Sequence, residues 1–236
     1  MVFNSNSFSL KGKVALVTGG ARGLGKFYSS ALSLYGVNIF VVSRTEAGWD
    51  EVKRVVEEHG QQVFFFKKDL TEPGAATDII KAVVNHYGQL DILVNNAGMQ
   101  IRNKVLEFKD EDWRKVIDLN LNALYYLSHE AAKQMVKQGH GKIINIGSMQ
   151  SFRAGKYIFP YAASKHAVLG LTRAYADALA PYHIQVNGLA PGYILTDMTR
   201  SLQQDPVRGP EIAAHIPSGD WGIPDVKFLY NFCKII

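Results

Sequence analysis

Short apolar runs alternate along the chain with longer segments whose apolar residues recur at helical spacing. The strand-like runs occupy residues 14–18, 38–42, 63–66, 92–95, 142–146 and 184–187. The helix-like segments occupy residues 24–35, 46–59, 75–87, 111–138 and 161–180. Strands of consecutive apolar residues are typical of a sheet that is covered on both faces. Strict alternation of strand and helix therefore predicts a doubly wound α/β fold, with a mostly parallel sheet between two layers of helices.

A single domain over residues 1–236 accounts for this pattern, because no repeat or linker interrupts it. Beyond residue 195 the alternation stops, and Pro and Gly become frequent. We interpret residues 197–224 as a lid of loops and short helices over a substrate site. Residues 226–236 form an atypical apolar tail.

Composition narrows the class of protein. Hydrophobic residues make up 47% and charged residues 20% of 236 residues, which is ordinary for a globular chain. The single cysteine, Cys233, excludes an intrachain disulfide and a cysteine-based zinc site, and we expect no metal. The N-terminus lacks the apolar stretch of a signal peptide, and no run is long enough to span a bilayer. We therefore expect a cytoplasmic protein without a membrane partner.

The net charge is +5, with 26 basic and 21 acidic residues. Nucleic-acid-binding proteins cluster such charge, whereas Lys and Arg are spread along this chain. We expect no nucleic-acid partner. Two interpretations of the excess stay open: an ordinary basic surface, or electrostatic steering of an anionic cofactor or substrate.

A glycine-rich turn connects the first predicted strand to the first helix. Its candidate binding residues are Thr18, Gly19, Arg22, Gly23, Leu24 and Gly25. Glycines let the backbone approach a pyrophosphate, and the helix start offers unpaired N–H groups and a positive dipole end. Following a first strand, this turn predicts a dinucleotide site.

The end of the second predicted strand indicates which dinucleotide binds. An acidic residue there would accept the ribose hydroxyls of NAD, but this chain has Ser43 and Arg44. Arg22 adds a second cation from the glycine turn. Because Ser and Arg can bind a 2′-phosphate, we predict NADP as the cofactor, with NAD possible.

Tyr161 and Lys165 lie one helical turn apart, and Ser148 follows the fifth predicted strand. A tyrosine phenol titrates near 10, too high for a base at neutral pH. A lysine ammonium about 6 Å away would lower the pKa of Tyr161 by roughly two units. Tyr161 could then exchange a proton with a substrate oxygen while a hydride moves at the adjacent carbon.

With these motifs in order, roughly residues 8–225 resemble the short-chain dehydrogenase/reductase family, whose fold is the Rossmann type. The resemblance implies a catalytic tetrad of Asn120, Ser148, Tyr161 and Lys165. It also implies that Ser148 polarises the substrate oxygen, that Lys165 holds the ribose hydroxyls and that Asn120 anchors a proton relay. Further cofactor-binding positions implied by the family's motifs are Asp69, Leu70, Asn95, Ala97, Gly98, Pro191, Gly192, Ile194 and Thr196.

Within the family, stretches such as NNAGMQIRNKVLEF and IPSGDWG are most similar to gluconate 5-dehydrogenase and 2-deoxygluconate 3-dehydrogenase. The resemblance implies oxidation of a secondary alcohol, or reduction of the ketone, on a sugar acid such as gluconate. Arg102 and Arg153 could pair with its carboxylate; both could equally be exposed loop residues. A 3-ketoacyl carrier-protein reductase is one alternative, and a nucleotide-binding protein without activity is another.

The end of the chain departs from the family pattern. Family members continue past the segment 221–225 into a helix, a last strand and an Asp-Gly-Gly loop, and no such sequence follows here. We expect the last strand of the sheet to be missing. Because that strand usually supports the family's interfaces, the expected homo-oligomer, a dimer or tetramer, depends on how the short C-terminus packs.

Overall fold

The structure, a computed structural model, describes residues 9–224. Six strands form one parallel sheet in the order β3-β2-β1-β4-β5-β6. The strands are β1 (Val14–Thr18), β2 (Asn38–Ser43), β3 (Val63–Lys67), β4 (Ile92–Asn95), β5 (Gly141–Ile146) and β6 (Ile184–Leu189). The predicted doubly wound sheet is confirmed, and each predicted strand lies within two residues of the observed one at either end.

Eight α-helices flank or cap the sheet within the described range. They are α1 (Gly23–Leu34), α2 (Trp49–Glu58), α3 (Ala75–Tyr87), α4 (Asp110–Ile117), α5 (Ala123–Gln138), α6 (Phe159–Leu179), α7 (Asp197–Gln203) and α8 (Arg208–Ala214). Helix α2 begins later than predicted because Gly48, with φ 84°, has a left-handed backbone that cannot continue a helix.

The largest departure from the predicted helices lies in the segment 111–138, which we expected to be one regular helix. A π-helical turn, Asp118–Asn122, separates α4 from α5. Its central residue, Asn120, is buried and hydrogen-bonded to the loop after β4. A π-turn is an insertion of one residue into an α-helix and is frequent at functional sites.

The core consists of two apolar layers, one on each face of the sheet. Leu16 of β1 packs with Ile79 of α3 and Met135 of α5 on one face. Its neighbour Val17 packs with Leu32 of α1 and Val56 of α2 on the other. All six side chains are fully buried. Adjacent residues of a strand thus pack into opposite layers, and for this reason the strand sequences are continuous apolar runs.

Strand β6 forms one edge of the described sheet, and its buried and exposed residues alternate. The predicted lid contains α7 and α8, and a parallel bridge pairs Ile194 with Gly222. The tail 226–236 lies outside the described residues, and so does the part of the chain on which the expected lack of a last strand depends. Over residues 9–224, no helix has the length and apolar character needed to cross a bilayer.

Candidate functional site

A cavity of about 500 Å³ opens at the carboxyl ends of β1 and β4, which lie side by side. From β1 the strand order continues to β2 and β3 on one side, and from β4 to β5 and β6 on the other. Ligands of doubly wound sheets bind at this point. The volume lies within the range of known ligand sites, about 300–1,000 Å³. Predicted site residues that line the cavity are Gly19, Arg22, Gly23, Leu24, Ser43, Arg44, Leu70, Ala97, Gly98, Ser148, Tyr161, Lys165, Pro191, Gly192, Ile194 and Thr196.

The glycine turn is held tightly against the segment after β4. Gly19 adopts a left-handed backbone, with φ 62°. A Cβ atom on Gly25 would lie 2.1 Å from the carbonyl oxygen of Gly19, so only glycine fits the start of α1 here. Thr18 is buried beneath the turn, where its Oγ1 accepts the N–H groups of Asn96 and Ala97, both at 3.0 Å.

Asn96 was not among our predicted binding residues, although it lines the cavity. Its Nδ2 donates to the carbonyl oxygens of Thr18 at 2.9 Å and Gly19 at 3.3 Å. Its neighbour Asn95 lies below the cavity and donates to Ser128 Oγ at 2.8 Å and Asn145 Oδ1 at 2.9 Å. Both asparagines therefore hold the segments beneath the cavity together, and only Asn96 of the two lines the cavity itself.

Three cations surround the end of the cavity formed by β2 and β3: Arg22, Arg44 and Lys68. Arg44 Nη1 lies 3.7 Å from Asp69 Oδ2. Asp69 does not line the cavity. Burial raises the pKa of the Asp69 carboxyl. Hydrogen bonds from the N–H and hydroxyl of Thr71 and the charge of Arg44 lower it by more, so the pKa lies below its usual value. Asp69 is therefore ionised at neutral pH, and its charge attracts that of Arg44.

Lys68 was missed by sequence reasoning, although its position directly after β3, beside the end of β2, could have indicated it. Its ammonium pairs with Glu72 at 2.9 Å and Asp78 at 3.2 Å. Arg22 has no carboxylate within 4.0 Å among the described residues. Arg44 and Lys68 both have carboxylate partners, so Arg22 contributes most of the unbalanced positive charge at this end.

Ser148, Tyr161 and Lys165 meet at the end of β5. Ser148 begins a short 3₁₀ helix, and its Oγ accepts the N–H of Gln150 at 3.1 Å. Ser151 joins this turn to α6, since its Oγ accepts the N–H of Ser148 and donates to the carbonyl oxygen of Lys165. The three predicted catalytic groups thus lie on two elements that are hydrogen-bonded to each other.

The ammonium of Lys165 is buried, and it is held on the sheet side of Tyr161. Its Nζ donates to the carbonyl oxygen of Ile146 at 2.5 Å and lies 5.6 Å from the centroid of the Tyr161 ring. Burial lowers the pKa of Lys165 to about 8. Burial likewise raises the pKa of Tyr161, and the hydroxyl of Ser148 opposes that change.

The direction of the Tyr161 shift corrects our expectation that Lys165 would lower it. The physical reason is that the phenol and the ammonium are both removed from water, and desolvation disfavours the charged form of each. The phenol of Tyr161 therefore keeps its proton at neutral pH.

Asn120 lies behind the cavity rather than in its lining. Its Oδ1 accepts the N–H of Met99 at 2.8 Å, and its Nδ2 donates to the carbonyl oxygen of Met99 at 2.9 Å and to Ser164 Oγ at 3.2 Å. These contacts connect the π-turn to the loop after β4 and to α6. The geometry is that of a positioning residue next to the predicted catalytic groups.

The two predicted carboxylate-binding arginines, Arg102 and Arg153, are exposed and do not line the cavity. Three residues that we did not predict do line it: Asp197, Met198 and Thr199, at the start of α7. They follow Thr196 directly, so they bring the predicted lid into contact with the site. Within residues 9–224, no group of three or more His, Cys, Asp or Glu side chains could hold a metal ion.

Comparisons with known proteins agree with this geometry. A family model described as short chain dehydrogenase matches residues 13–207. An uncharacterized oxidoreductase of Escherichia coli K12, YgcW, is 46% identical over 93% of this chain and 84% of its own length. The 2-dehydro-3-deoxy-D-gluconate 5-dehydrogenase of Bacillus subtilis 168 is 43% identical over 95% of this chain and 88% of its own length.

Among solved structures, a gluconate 5-dehydrogenase from Burkholderia cenocepacia J2315 in complex with NADP and tartrate superposes with a TM-score of 0.89. It is 36% identical, and the match covers 96% of this chain and 88% of that one. A putative 2-deoxy-D-gluconate 3-dehydrogenase from Agrobacterium tumefaciens with bound NADP gives a TM-score of 0.86 at 38% identity, over 93% of this chain and 87% of that one.

Proposed function

The chain belongs to the short-chain dehydrogenase family, and on that premise we propose that it transfers a hydride between NADP(H) and a secondary alcohol or ketone of a sugar acid such as gluconate. One observation carries the proposal. A single cavity joins the cationic end at Ser43 and Arg44 to the convergence of Ser148, Tyr161 and Lys165. A cofactor bound along this cavity would span both ends.

The residues of the cavity fit NADP. Gly19 and Gly23 line the cavity without side chains, which suits the approach of a pyrophosphate to the start of α1. Arg22 and Arg44 supply the charge that a 2′-phosphate requires, and in the described residues no carboxylate lines that end of the cavity. When bound, NADP supplies or accepts the hydride.

The chain's own residues would handle the proton and the orientation of the substrate. Tyr161 donates its phenolic proton to a carbonyl oxygen during reduction and takes a proton back during alcohol oxidation. Ser148 Oγ donates a hydrogen bond to the same oxygen. Lys165 stabilises the phenolate form by its charge, and it is placed to bind ribose hydroxyls as well.

A sugar acid is the favoured substrate class because the relatives described above are named for gluconate or its dehydro-deoxy derivative. The same names speak against the alternative of a 3-ketoacyl carrier-protein reductase. The intact set of Asn120, Ser148, Tyr161 and Lys165 speaks against a nucleotide-binding protein without activity.

The proposal extends to the lid, the assembly and the location of the protein. Residues 197–224 would close over the substrate, since Asp197, Met198 and Thr199 already line the cavity. A homo-oligomer is supported by exposed aromatic side chains on neighbouring helices, Trp113 of α4 and Tyr125 and Tyr126 of α5. The cytoplasm, where nicotinamide cofactors are available, is the proposed location.

The test is a cofactor-coupled assay of the purified chain with D-gluconate, 2-dehydro-3-deoxy-D-gluconate, sorbitol and an acetoacetyl thioester, each with both nicotinamide cofactors. We expect turnover of a sugar acid with NADP or its reduced form, and none by Tyr161→Phe. Preferential reduction of the thioester would establish the ketoacyl reductase instead.

A further inference from the structure

Lys68 lines the end of the cavity formed by β2 and β3, and its charge is shared with two acids outside the cavity. Its backbone N–H donates to the carbonyl oxygen of Ser43 at 3.1 Å, which places it beside the strand end that precedes Arg44. Only 21% of its side chain is exposed, and its ammonium lies 2.9 Å from Glu72 and 3.2 Å from Asp78. The cavity thus has a lysine in its lining whose charge is already compensated.

The two acids that hold Lys68 can release it at small cost. More than half of each carboxylate side chain is exposed, and neither residue lines the cavity. Ion pairs of exposed groups contribute little free energy, because water screens both charges. Asp78 also lies in the first turn of α3, where the positive end of the helix dipole stabilises a carboxylate in the absence of a lysine. Both Glu72 and Asp78 can therefore turn to water when Lys68 leaves.

The neighbouring ion pair, between Arg44 and Asp69, is built differently. The Asp69 side chain is 30% exposed, and its Oδ2 lies 3.7 Å from Arg44 Nη1. Its Oδ1 accepts the N–H and the hydroxyl of Thr71, at 2.9 and 2.7 Å, so the carboxylate is fixed in place. Arg44 therefore stays beside a fixed acid, whereas Lys68 is the cation whose partners can move away.

A 2′-phosphate bound at this end has room for a third cation beside Arg22 and Arg44. A phosphate monoester carries close to two negative charges at neutral pH, and it has three acceptor oxygens. Arg44 divides its charge between a bound phosphate and Asp69, because that carboxylate stays where it is. A further ammonium from the lining of the same cavity end, that of Lys68, would complete the neutralisation.

We propose that Lys68 exchanges Glu72 and Asp78 for the 2′-phosphate of NADP, which makes it a specificity-determining residue and makes the two acids its competitors. The inference rests on the proposed function, because it requires NADP to bind along the cavity. A phosphate dianion inside the cavity attracts an ammonium more strongly than two exposed carboxylates do. The exchange raises the affinity for NADP and adds nothing to the affinity for NAD, which lacks the phosphate.

Fluorescence titrations with NADPH and NADH test the exchange, and they do not depend on turnover. We expect Lys68→Met to weaken NADPH binding by roughly five- to thirtyfold, the effect of one charged hydrogen bond, and to leave NADH binding within about twofold. Lys68→Arg should retain most of the NADPH affinity, because it keeps a charged donor. The matched control is Lys67→Met. Lys67 is exposed and does not line the cavity, so its loss should change neither affinity.

The competing acids give the sharper test, because their removal should improve binding. In Glu72→Gln one acid instead of two holds the lysine, so NADPH should bind about two- to fivefold more tightly. In the double variant Lys68→Met, Glu72→Gln this gain should disappear, since the residue through which Glu72 acts is gone. An equal gain with and without Lys68 would mean that Glu72 repels the phosphate directly, and it would overturn the exchange.

Failure of the exchange is distinguishable from failure of the proposed function. If the unaltered chain prefers NADPH and Lys68→Met keeps that preference, NADP is the cofactor and the role of Lys68 is wrong. If Lys68→Met weakens NADPH and NADH binding equally, the lysine supports the part that both cofactors share, and its role in specificity is wrong. If the unaltered chain binds NADH as tightly as NADPH, the proposed cofactor fails, and the exchange fails with it.

Discussion

The ammonium of Lys165 lies 5.6 Å from the centre of the Tyr161 ring and is hydrogen-bonded to the carbonyl oxygen of Ile146. The carbonyl oxygen belongs to the last residue of β5, so the lysine connects the strand that ends at the site to the helix that carries the tyrosine. Its charge is therefore fixed in place by the backbone, with little freedom to reorganise during a reaction.

Removal of the Tyr161 hydroxyl separates proton transfer from binding. Tyr161→Phe keeps the ring and its packing and deletes the group proposed to exchange the proton. We expect turnover to fall by at least about a hundredfold, the usual contribution of a general acid, while NADPH affinity stays within about twofold by fluorescence titration. Turnover within tenfold of the unaltered chain would remove Tyr161 from its assigned role.

The low pKa of Lys165 predicts a change of stability with pH. Burial lowers this pKa to about 8 in the folded chain, from 10.5. Between these values the unfolded chain holds more protons, so the free energy of unfolding contributed by Lys165 rises as the pH rises. Between pH 7 and 10.5, the unaltered chain should gain up to about 3 kcal/mol relative to Lys165→Met.

Urea unfolding at several pH values from 7 to 10 measures this difference. Lys137→Met is the control, because Lys137 is exposed on α5 and its removal should leave the pH dependence of stability unchanged. Parallel curves for Lys165→Met and the unaltered chain would contradict the assignment of a buried, depressed lysine.

Cofactor choice should depend on Ser43 and Arg44. In the double variant Ser43→Asp, Arg44→Leu, a carboxylate would accept the ribose hydroxyls of NAD and repel a 2′-phosphate. A partly exposed arginine–phosphate contact is worth about 1–2 kcal/mol, so the preference for NADPH over NADH should reverse by tenfold or more. Raising the salt concentration should weaken NADPH binding more than NADH binding in the unaltered chain. Equal affinities at low salt would refute this role.

The contact of Gly25 with Gly19 predicts opposite outcomes for two glycine-to-alanine changes. The added methyl of Gly25→Ala would lie 2.1 Å from a backbone oxygen, and we expect a loss of about 1–3 kcal/mol of stability together with loss of NADPH binding. Gly170 lies on the exposed side of α6 with nothing within 4 Å of the new methyl. Gly170→Ala should stabilise the chain by about 0.5–1 kcal/mol, and chemical unfolding compares the two.

The layered fold was predictable because β1, β4 and β5 are buried on both faces, so their hydrophobicity directly reports their environment. The conformation around Asn120, in contrast, could not be predicted from hydrophobicity. Its position within a helical pattern predicts an amide on a regular helix, whereas its hydrogen bonds to Met99 accompany an extra residue in the helix. A contact between a helix and a loop leaves no trace in local periodicity.

The binding residues divide in the same way. Arg44 follows a predicted strand, and the local sequence alone assigned it to the cofactor site, whose cavity it lines. Met198 was missed, because only the fold brings the start of α7 to the cavity. Before the fold is known, it is one methionine close to Pro- and Gly-rich loops.

The π-turn between α4 and α5 makes the site sensitive to chain length. Deleting one residue between 118 and 122 would convert the two helices into one regular rod, with every backbone hydrogen bond still available. The deletion would also rotate buried Val116 by about 100° relative to buried Leu124, the angle that one residue covers in an α-helix. The number of residues in this segment, and not only their identity, therefore determines how the site is built.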